Sequence, residues 1–255
     1  MSLEVVTIPC LSDNYAYILR DNATGKVALV DAPEAGPIAR ALGERTWSLD
    51  LILITHHHND HIAGVDELKE KFGARVAGAT ADAHRLPKLD MALSEGDSID
   101  LGESRAIVLD VPGHTVGHIA FFFPVAKALF SADSLMALGC GRLFEGTPDQ
   151  MWESLCKMAA LPGDTKVYSG HEYSLSNAKF ALSVDPENPA LKARCEDIKL
   201  KRSKGSPTVP VFLSIEQETN PFIRAADPAL KAELGLSQQT DAQVFAEIRK
   251  RKDSF

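Results

Sequence analysis

The heptad THHHNDH (55–61) contains four of the eight histidines in the chain. It directly follows the apolar run LDLILI (49–54), which predicts a strand buried on both faces. In an extended backbone the side chains of His56 and His58 point to the same side, where they can grip one metal ion. Neutral imidazoles beside the carboxylate of Asp60 are suitable ligands for a transition metal. The heptad therefore predicts a metal site at the carboxyl end of a strand.

Three later segments repeat the order of apolar run, small residue and candidate ligand. They place His114 in VPGHTVGH, Asp133 in LFSADSL and His171 in VYSGHEY. With His56, His58, His61 and Asp60 of the heptad, the candidate ligands are five histidines and two aspartates, which suit two metal ions better than one. The predicted ligands are His56, His58 and His114 for the first ion, Asp60, His61 and His171 for the second, and Asp133 for both.

Two divalent ions that share a water lower its pKa toward neutrality, so the predicted chemistry is metal-assisted hydrolysis. Asp133 is expected to orient the attacking water, and Asp60 completes the catalytic pair of carboxylates. His57 and His118 are expected to have orienting or packing roles. Cys140 has no histidine left to activate it, so we do not expect it to be a nucleophile.

The composition of the chain bears on its expected partners and location. The 255 residues include 27 Lys and Arg against 35 Asp and Glu, a formal net charge of -8. This balance argues against nucleic acid as a partner, since phosphate binding needs clustered cations. The four cysteines are scattered without a CxxC pair, which favours reduced thiols and a cytoplasmic location. We expect neither a leader peptide nor a membrane span.

Elements along the chain predict an α+β fold. Short β-rich runs alternate with helical segments up to residue 172, after which the pattern becomes mostly helical. TPDQMWESLCKMAAL predicts a helix with Thr147 as N-cap, Pro148 in the first turn and Gln150 completing a capping box. VDELKEKFG predicts a helix that ends at Gly73. We predict a domain of residues 1–172 followed by one of residues 173–255.

The ligand motifs together resemble the metallo-β-lactamase superfamily. Four further segments are similar to those of one subfamily, the glyoxalase II or hydroxyacylglutathione hydrolase family, so the resemblance covers essentially the whole chain. These segments are LSDNYAYIL near the start, GCGRLFEGT (139–147), NPFIR (220–224) and RKRKD (249–253). The resemblance implies an αββα sandwich over residues 1–172 and a smaller, mostly helical domain over residues 173–255 that binds glutathione.

The resemblance also implies an activity. The expected reaction is hydrolysis of the thioester S-D-lactoylglutathione, or a related 2-hydroxyacylglutathione, to D-lactate and glutathione, which detoxifies methylglyoxal. Two divalent ions are expected, either zinc or mixtures with iron and manganese, since the mixed N and O ligands include no thiolate. The expected partner is this small molecule, with no nucleic acid and no membrane. A monomer is expected, with a weak dimer as the alternative.

Five substrate-binding residues are implied by the same resemblance. Arg142 stands where the family has a basic residue, and Phe144 stands where a tyrosine is common. Tyr173 matches the aromatic residue after the last ligand histidine. Arg249 and Lys252, three residues apart on one helical face, match a basic pair that would hold the glycine carboxylate of glutathione.

Three alternatives remain open at this point. A glutathione-persulfide dioxygenase with one iron also takes a glutathione substrate, and counting bound metals would separate it from the hydrolase. Other metallo-β-lactamase-fold hydrolases share the ligand motif. A non-catalytic metal-binding or glutathione-binding module would be excluded by metal-dependent turnover of a thioester.

Overall fold

The computed structural model describes residues 3–255, and within them the chain forms two compact units. The first unit comprises the residues up to Asp110 together with Gly117–Ser131. The second comprises Val111–Val116 together with Ala132–Phe255. The division at residue 172 rests on the sequence pattern and stays a prediction.

The first unit is built mainly of strands, with short helices between them. Its strands are β1 (Leu3–Cys10), β2 (Asn14–Asp21), β3 (Val27–Val30), β4 (Leu51–Leu53), β5 (Arg75–Ala79), β6 (Met91–Leu93), β7 (Ser98–Leu101), β8 (Ser104–Asp110), β9 (Ile119–Phe123) and β10 (Ala128–Ala132). Its helices are α1 (Ala35–Glu44), α2 (Asn59–Ile62) and α3 (Val65–Phe72).

Strands β1 to β6 form one sheet in sequence order. The first three are antiparallel, whereas β3, β4, β5 and β6 are mutually parallel. Leu29 of β3 lies opposite Ile52 of β4, so these two strands end together at one edge. Loops that follow the carboxyl ends of parallel strands gather ligands at such an edge. The residues after β3 and β4, Asp31 and Thr55, are therefore neighbours.

The apolar run before the histidine heptad is buried on both faces, as predicted. Leu51, Ile52 and Leu53 are each at most 2% exposed. Helices α1 and α3 cover this sheet with their apolar sides, including Ile38 and Leu68. The expected end of α3 is also confirmed, because Gly73 caps it in the left-handed conformation with φ 69°.

Strands β7 to β10 form an antiparallel meander in which each strand pairs with the next. Phe123 and Phe130 lie on its buried side with their rings edge to face, 5.9 Å apart. Tyr17 of β2 packs against Phe130 with a centroid distance of 5.6 Å. Aromatic contacts of this kind add to the hydrophobic stabilisation of the core.

The second unit is mostly helical. Its strands are β11 (Leu135–Met136), β12 (Gly139–Cys140), β13 (Lys166–Ser169) and β14 (Val211–Phe212). Its helices are α4 (Pro148–Ala159), α5 (Ser174–Val184), α6 (Pro189–Ser203), α7 (Leu213–Thr219), α8 (Pro228–Glu233) and α9 (Asp241–Asp253). The predicted capping box at the start of α4 is confirmed, with both Thr147–Gln150 hydrogen bonds present. Among residues 3–255, every helix is too short or too polar to cross a lipid bilayer.

Candidate metal centre

Three imidazoles of the first unit are packed together after β4. His56 and His61 are fully buried and His58 is half-buried. His56 Nε2 lies 3.2 Å from His58 Nδ1, and the rings of His56 and His61 are 4.2 Å apart. His58 is the extended residue that precedes α2, and this short helix turns Asp60 and His61 back toward the other rings. The turn at α2 thus brings the side chains of the heptad together as a cluster of electron-pair donors.

A carboxylate that the sequence reasoning did not single out orients two of these rings. Asp31 Oδ2 accepts hydrogen bonds from His61 Nδ1 and from the Thr55 hydroxyl, each at 2.8 Å. Its Oδ1 accepts a bond from Thr55 N at 2.9 Å. Each oxygen of Asp31 therefore accepts at least one hydrogen bond. This carboxylate therefore orients the side chains of Thr55 and His61 and supports the donor cluster.

Hydrogen bonds indicate which nitrogen of His56 and which nitrogen of His61 carries the proton. His61 donates through Nδ1 to Asp31, which leaves the lone pair on Nε2. The Thr55 hydroxyl donates its hydrogen bond to Asp31, so it must accept a hydrogen bond from His56 Nδ1, 3.0 Å away. Nε2 of His56 therefore also carries a lone pair. An imidazole nitrogen that carries a lone pair is the form that binds a metal cation.

Asp60 is held by a residue near the start of the chain. Asn14 Nδ2 lies 3.0 Å from both the backbone oxygen and Oδ2 of Asp60. That same carboxylate oxygen is 3.8 Å from His61 Nε2. Asn14 belongs to the LSDNYAYIL segment that the family resemblance singled out, and this contact gives the segment a physical role. Asn14 aligns a candidate ligand from 46 residues away along the chain.

The two histidines expected to have orienting roles lie beside the cluster. His57 Nδ1 lies 3.2 Å from Asp82 Oδ2, and Arg85 binds the other oxygen of that carboxylate at 2.6 Å. His118 stacks on His56 with the ring centroids 4.7 Å apart. Beside His118, the backbone of Gly117 packs closely against Asp82. A Cβ at Gly117 would lie 2.2 Å from the Asp82 carboxyl carbon.

The second unit contains a donor set of its own, formed by Asp133, His114 and His171. Asp133 Oδ2 lies 3.4 Å from His114 Nε2 and 3.2 Å from His171 Nε2, and all three residues are buried. His114 Nδ1 donates to the Arg142 carbonyl at 2.7 Å, so its Nε2 presents a lone pair to the carboxylate. Electron-pair donors converging in this way fit a divalent cation, which would relieve their mutual repulsion.

Glycine at position 141 is a condition for this donor set. A Cβ at Gly141 would lie 2.1 Å from the Asp133 carbonyl oxygen and 2.8 Å from His114 Nδ1. No side chain can occupy that space without displacing the backbone. The loop 139–147 therefore passes directly against two candidate ligands.

Two exposed aromatic residues flank the donor set of the second unit. Phe144 contacts the ring of His114 edge to face at 5.3 Å, and Tyr173 stacks on His171 at 4.6 Å. Phe144 is 62% exposed and Tyr173 is 40% exposed. They offer apolar surface to a ligand that approaches His114 and His171.

Two of the three predicted cationic residues, Arg249 and Arg142, contact one carboxylate, Asp253. Its Oδ1 lies 2.9 Å from Arg249 Nη2 and 3.4 Å from Arg142 Nε. Arg249 is buried, donates to the Cys140 carbonyl at 3.0 Å and lies over the ring of Phe222. The role of Arg249 in binding a substrate carboxylate stays a prediction.

Lys252 and Cys140 complete this region. Lys252 Nζ lies 3.2 Å from Ser176 Oγ, and its pKa is lowered by burial and by the nearby Arg249 charge. Burial raises the pKa of the Cys140 thiol to about 11. At neutral pH Cys140 is therefore a thiol and a poor nucleophile, as expected from the sequence.

Comparisons with known proteins agree with this geometry. Residues 12–171 match the metallo-beta-lactamase superfamily, and residues 172–255 match the family described as hydroxyacylglutathione hydrolase C-terminus. Hydroxyacylglutathione hydrolases from Ruegeria pomeroyi and from Cereibacter sphaeroides are 63% and 60% identical, each over 100% of both chains.

Two solved structures resemble the fold. ETHE1 from Myxococcus xanthus has a TM-score of 0.68 at 23% identity, covering 98% of this chain and 90% of its own. TTHA1623, solved in a di-iron-bound form, has a TM-score of 0.62 at 25% identity, covering 86% of this chain and 99% of its own.

The fold and the donor sets define a member of the metallo-β-lactamase superfamily. Within that superfamily, the chain belongs to the hydroxyacylglutathione hydrolase family, and the resemblance noted from its motifs is confirmed. The predicted fold class is also confirmed, with a metallo-β-lactamase domain followed by a smaller, mostly helical C-terminal domain.

Proposed function

We propose that this protein hydrolyses the thioester of S-D-lactoylglutathione and related 2-hydroxyacylglutathiones, releasing the hydroxy acid and glutathione. The observation that carries the proposal is the contact of Asp133 Oδ2 with His114 Nε2 and His171 Nε2, at 3.4 Å and 3.2 Å. These donors lie in a chain that belongs to the hydroxyacylglutathione hydrolase family along its whole length. A carboxylate placed between two imidazoles fits the role of a ligand shared by two metal ions, one bound to each imidazole.

The proposed centre holds two divalent ions. The lone pairs of His56 and His61, fixed by their Nδ1 hydrogen bonds, support roles as ligands. The nitrogen and oxygen donors suit zinc as well as iron and manganese. The proposed ligands are His56, His58 and His114 for one ion, Asp60, His61 and His171 for the other, and Asp133 for both.

When bound, the two ions would supply a nucleophilic water of lowered pKa and would polarise the thioester carbonyl. Asp133 would orient the attacking water, and Asp60, which Asn14 holds by a hydrogen bond, would bind the second ion. The leaving thiol has an ordinary pKa of about 8.5 and departs readily as a thiolate. This chemistry therefore needs no acid from the protein.

Substrate binding is assigned to the segment beyond residue 172 together with the loop 139–147. Arg142 and Lys252 supply positive charge for the anionic tripeptide, and Arg249 anchors the end of the loop through Cys140. Phe144 and Tyr173 provide the apolar surface beside His114 and His171. Residues 1–172 are the proposed catalytic domain, and residues 173–255 the proposed glutathione-binding domain.

We also propose that the protein works as a monomer in the cytoplasm. The thiols of Cys10, Cys140, Cys156 and Cys195 are all free, which suits a reducing compartment. The family relation points to a small-molecule substrate, so no assembly is required for the reaction.

The test is hydrolysis of S-D-lactoylglutathione by the purified protein, with metal content measured on the same sample. Rapid turnover with about two metals per chain, lost in Asp133→Ala and retained in Asp197→Ala, is the expected result. Two metals without thioester hydrolysis would move the protein to another hydrolase of the superfamily. One iron per chain with oxygen uptake on glutathione persulfide would instead favour the dioxygenase.

A further inference from the structure

The hairpin formed by β11 and β12, Leu135–Cys140, is held by side chains from distant parts of the second unit. Five backbone groups of this six-residue segment accept or donate hydrogen bonds with such side chains. These are Met136 O and Gly139 O with Asn220, Ala137 O with Asn177, Leu138 N with Glu216, and Cys140 O with Arg249. A short hairpin has little stability of its own, so its conformation depends on these bonds.

Asn220 and Glu216 form the centre of this network. Asn220 Nδ2 lies 3.2 Å from Met136 O and 3.0 Å from Gly139 O, and it is also 3.0 Å from Glu216 Oε2. The same Glu216 oxygen accepts from Leu138 N at 3.0 Å. Asn220 opens the NPFIR segment, whose role the sequence pattern left unassigned.

The centre of the network is fully buried and carries charge. Glu216 and Asn220 are both 0% exposed, and the other oxygen of Glu216 pairs with the half-buried Arg194. Removing a carboxylate and a guanidinium from water is costly, and apolar side chains of similar volume often stabilise a core equally well. We therefore infer that these buried polar groups serve to hold the hairpin in one particular backbone conformation.

That conformation is strained and lies next to the candidate ligands. Leu138 has a φ of 56°, in the left-handed region that disfavours leucine. Asp133 precedes the hairpin by two residues, and Gly141 directly follows it and packs on the Asp133 carbonyl. The carbonyl of Arg142, the next residue, accepts a hydrogen bond from His114 Nδ1. Each end of the hairpin thus adjoins a donor of the set Asp133, His114 and His171.

We propose that Asn220 and Glu216 are positioning residues for the metal centre. They hold the hairpin so that Asp133 projects toward His171 and the Arg142 carbonyl keeps the metal-binding tautomer of His114. The inference rests on the proposed function, because it assigns Asp133 and His114 to the metal centre. It gives the C-terminal helical segment a second task besides substrate binding, which is to set the geometry of the ligands.

The test compares Asn220→Ala with Arg224→Gln. Arg224 belongs to the same NPFIR segment and pairs with Asp185 and Asp227, so its substitution also removes partly buried polar contacts but none to the hairpin. Each protein is loaded with cobalt, and its visible spectrum, bound metal per chain, kcat, KM and Tm are measured. All spectra and rates are taken below the Tm of the less stable variant.

For Asn220→Ala we expect a changed cobalt spectrum and a loss of about 10- to 100-fold in metal affinity or kcat, as is typical when a group supporting a metal ligand is removed. Arg224→Gln should lower Tm while keeping the cobalt spectrum and kcat of the unmodified protein. An Asn220→Ala protein with the spectrum and kcat of the Arg224→Gln control would overturn the inference.

A second variant covers the case in which Asn220→Ala does not fold. Asn177→Ala removes only the bond to Ala137 O, and we expect the same spectral change at smaller amplitude. An unchanged spectrum and kcat in folded Asn177→Ala would then count against the inference. If the unmodified protein binds cobalt but hydrolyses no glutathione thioester, the proposed function fails, and the spectra still decide the positioning role.

Discussion

Asp31 Oδ2 lies 2.8 Å from His61 Nδ1 and equally close to the Thr55 hydroxyl, which in turn accepts from His56. One carboxylate thereby sets the ring orientation of two histidines proposed for different metal ions. Any change at Asp31 should therefore affect both ions together. An effect on one ion alone would require the two rings to be oriented independently.

Replacement of Asp31 by alanine should weaken metal binding by about 10- to 100-fold, because both imidazoles lose the group that fixes their tautomer. Asp31→Asn should lie between alanine and the unmodified protein, since an amide oxygen can still accept one of the bonds. Competition with a chromogenic chelator measures both affinities. Asp100→Ala, at an exposed aspartate paired with Arg105, is the control for loss of charge. Equal metal affinity in Asp31→Ala and in the control would contradict this role.

Phe144→Tyr should lower KM for a glutathione thioester by about 2- to 10-fold with little change in kcat, which corresponds to one added hydrogen bond of roughly 0.5–1.5 kcal/mol. The ring of Phe144 already contacts His114 and is mostly exposed, so a hydroxyl can be added without repacking the core. Steady-state kinetics on both proteins test the effect. Phe212→Tyr, at another exposed ring, should leave KM unchanged. A KM that stays constant in Phe144→Tyr would show that the substrate passes elsewhere.

Chelation of the metals should abolish hydrolysis and lower the Tm, because ions that bind only the folded chain stabilise it. At a free metal concentration one hundred times Kd the stabilisation is about 2.7 kcal/mol per site. Differential scanning calorimetry with and without chelator measures the shift, and added zinc or iron should restore both Tm and activity. Asp133→Ala should show a much smaller response to chelator. A Tm that is indifferent to chelator in the unmodified protein would argue against tightly bound metals.

Asp21 should make folding stability depend on acidic pH. Burial opposes its ionised form, but hydrogen bonds from Ser104 and Thr24 outweigh that effect and lower its pKa from 3.8 to about 2. A folded-state pKa below the unfolded value stabilises the fold above pH 3.8, and this contribution disappears as the pH falls toward 2. At neutral pH the contribution is roughly 2 kcal/mol.

Urea unfolding of metal-free Asp21→Asn at several pH values checks this dependence. We expect the variant to be less stable than the unmodified protein at pH 7, with the difference shrinking below about pH 4. The exposed Asp100→Asn should show a far smaller difference. A difference between Asp21→Asn and the unmodified protein that is constant from pH 7 to pH 3 would assign the effect to packing.

The sequence was most informative where a strand ends in a polar residue. His56, His114, Asp133 and His171 all follow apolar runs, and this order predicted that they are candidate ligands. Asp31 follows the run VALV in the same way and was nevertheless missed, because a single aspartate after a strand has many possible roles. Its function becomes visible only once the parallel pairing of β3 with β4 brings Thr55 beside it.

Longer helices were also predictable, because capping and periodicity are local properties. Thr147, Gln150 and Gly73 marked the ends of α4 and α3 correctly. The hairpin of β11 and β12 was not predicted, since its conformation comes from Asn220 and other side chains far away in sequence. Pattern analysis over a window of residues has no access to such contacts.

The close packing of Gly141 on the Asp133 carbonyl matters for anyone who would redesign the acyl selectivity of this protein. In saturation libraries over the loop 139–147, most variants at position 141 should be inactive, because any side chain there would overlap Asp133 and His114. Productive diversity lies two or more residues further on, where Phe144 faces solvent. The loop thus contains one position, Gly141, that directed evolution must leave unchanged, and a later part around Phe144 that it can vary.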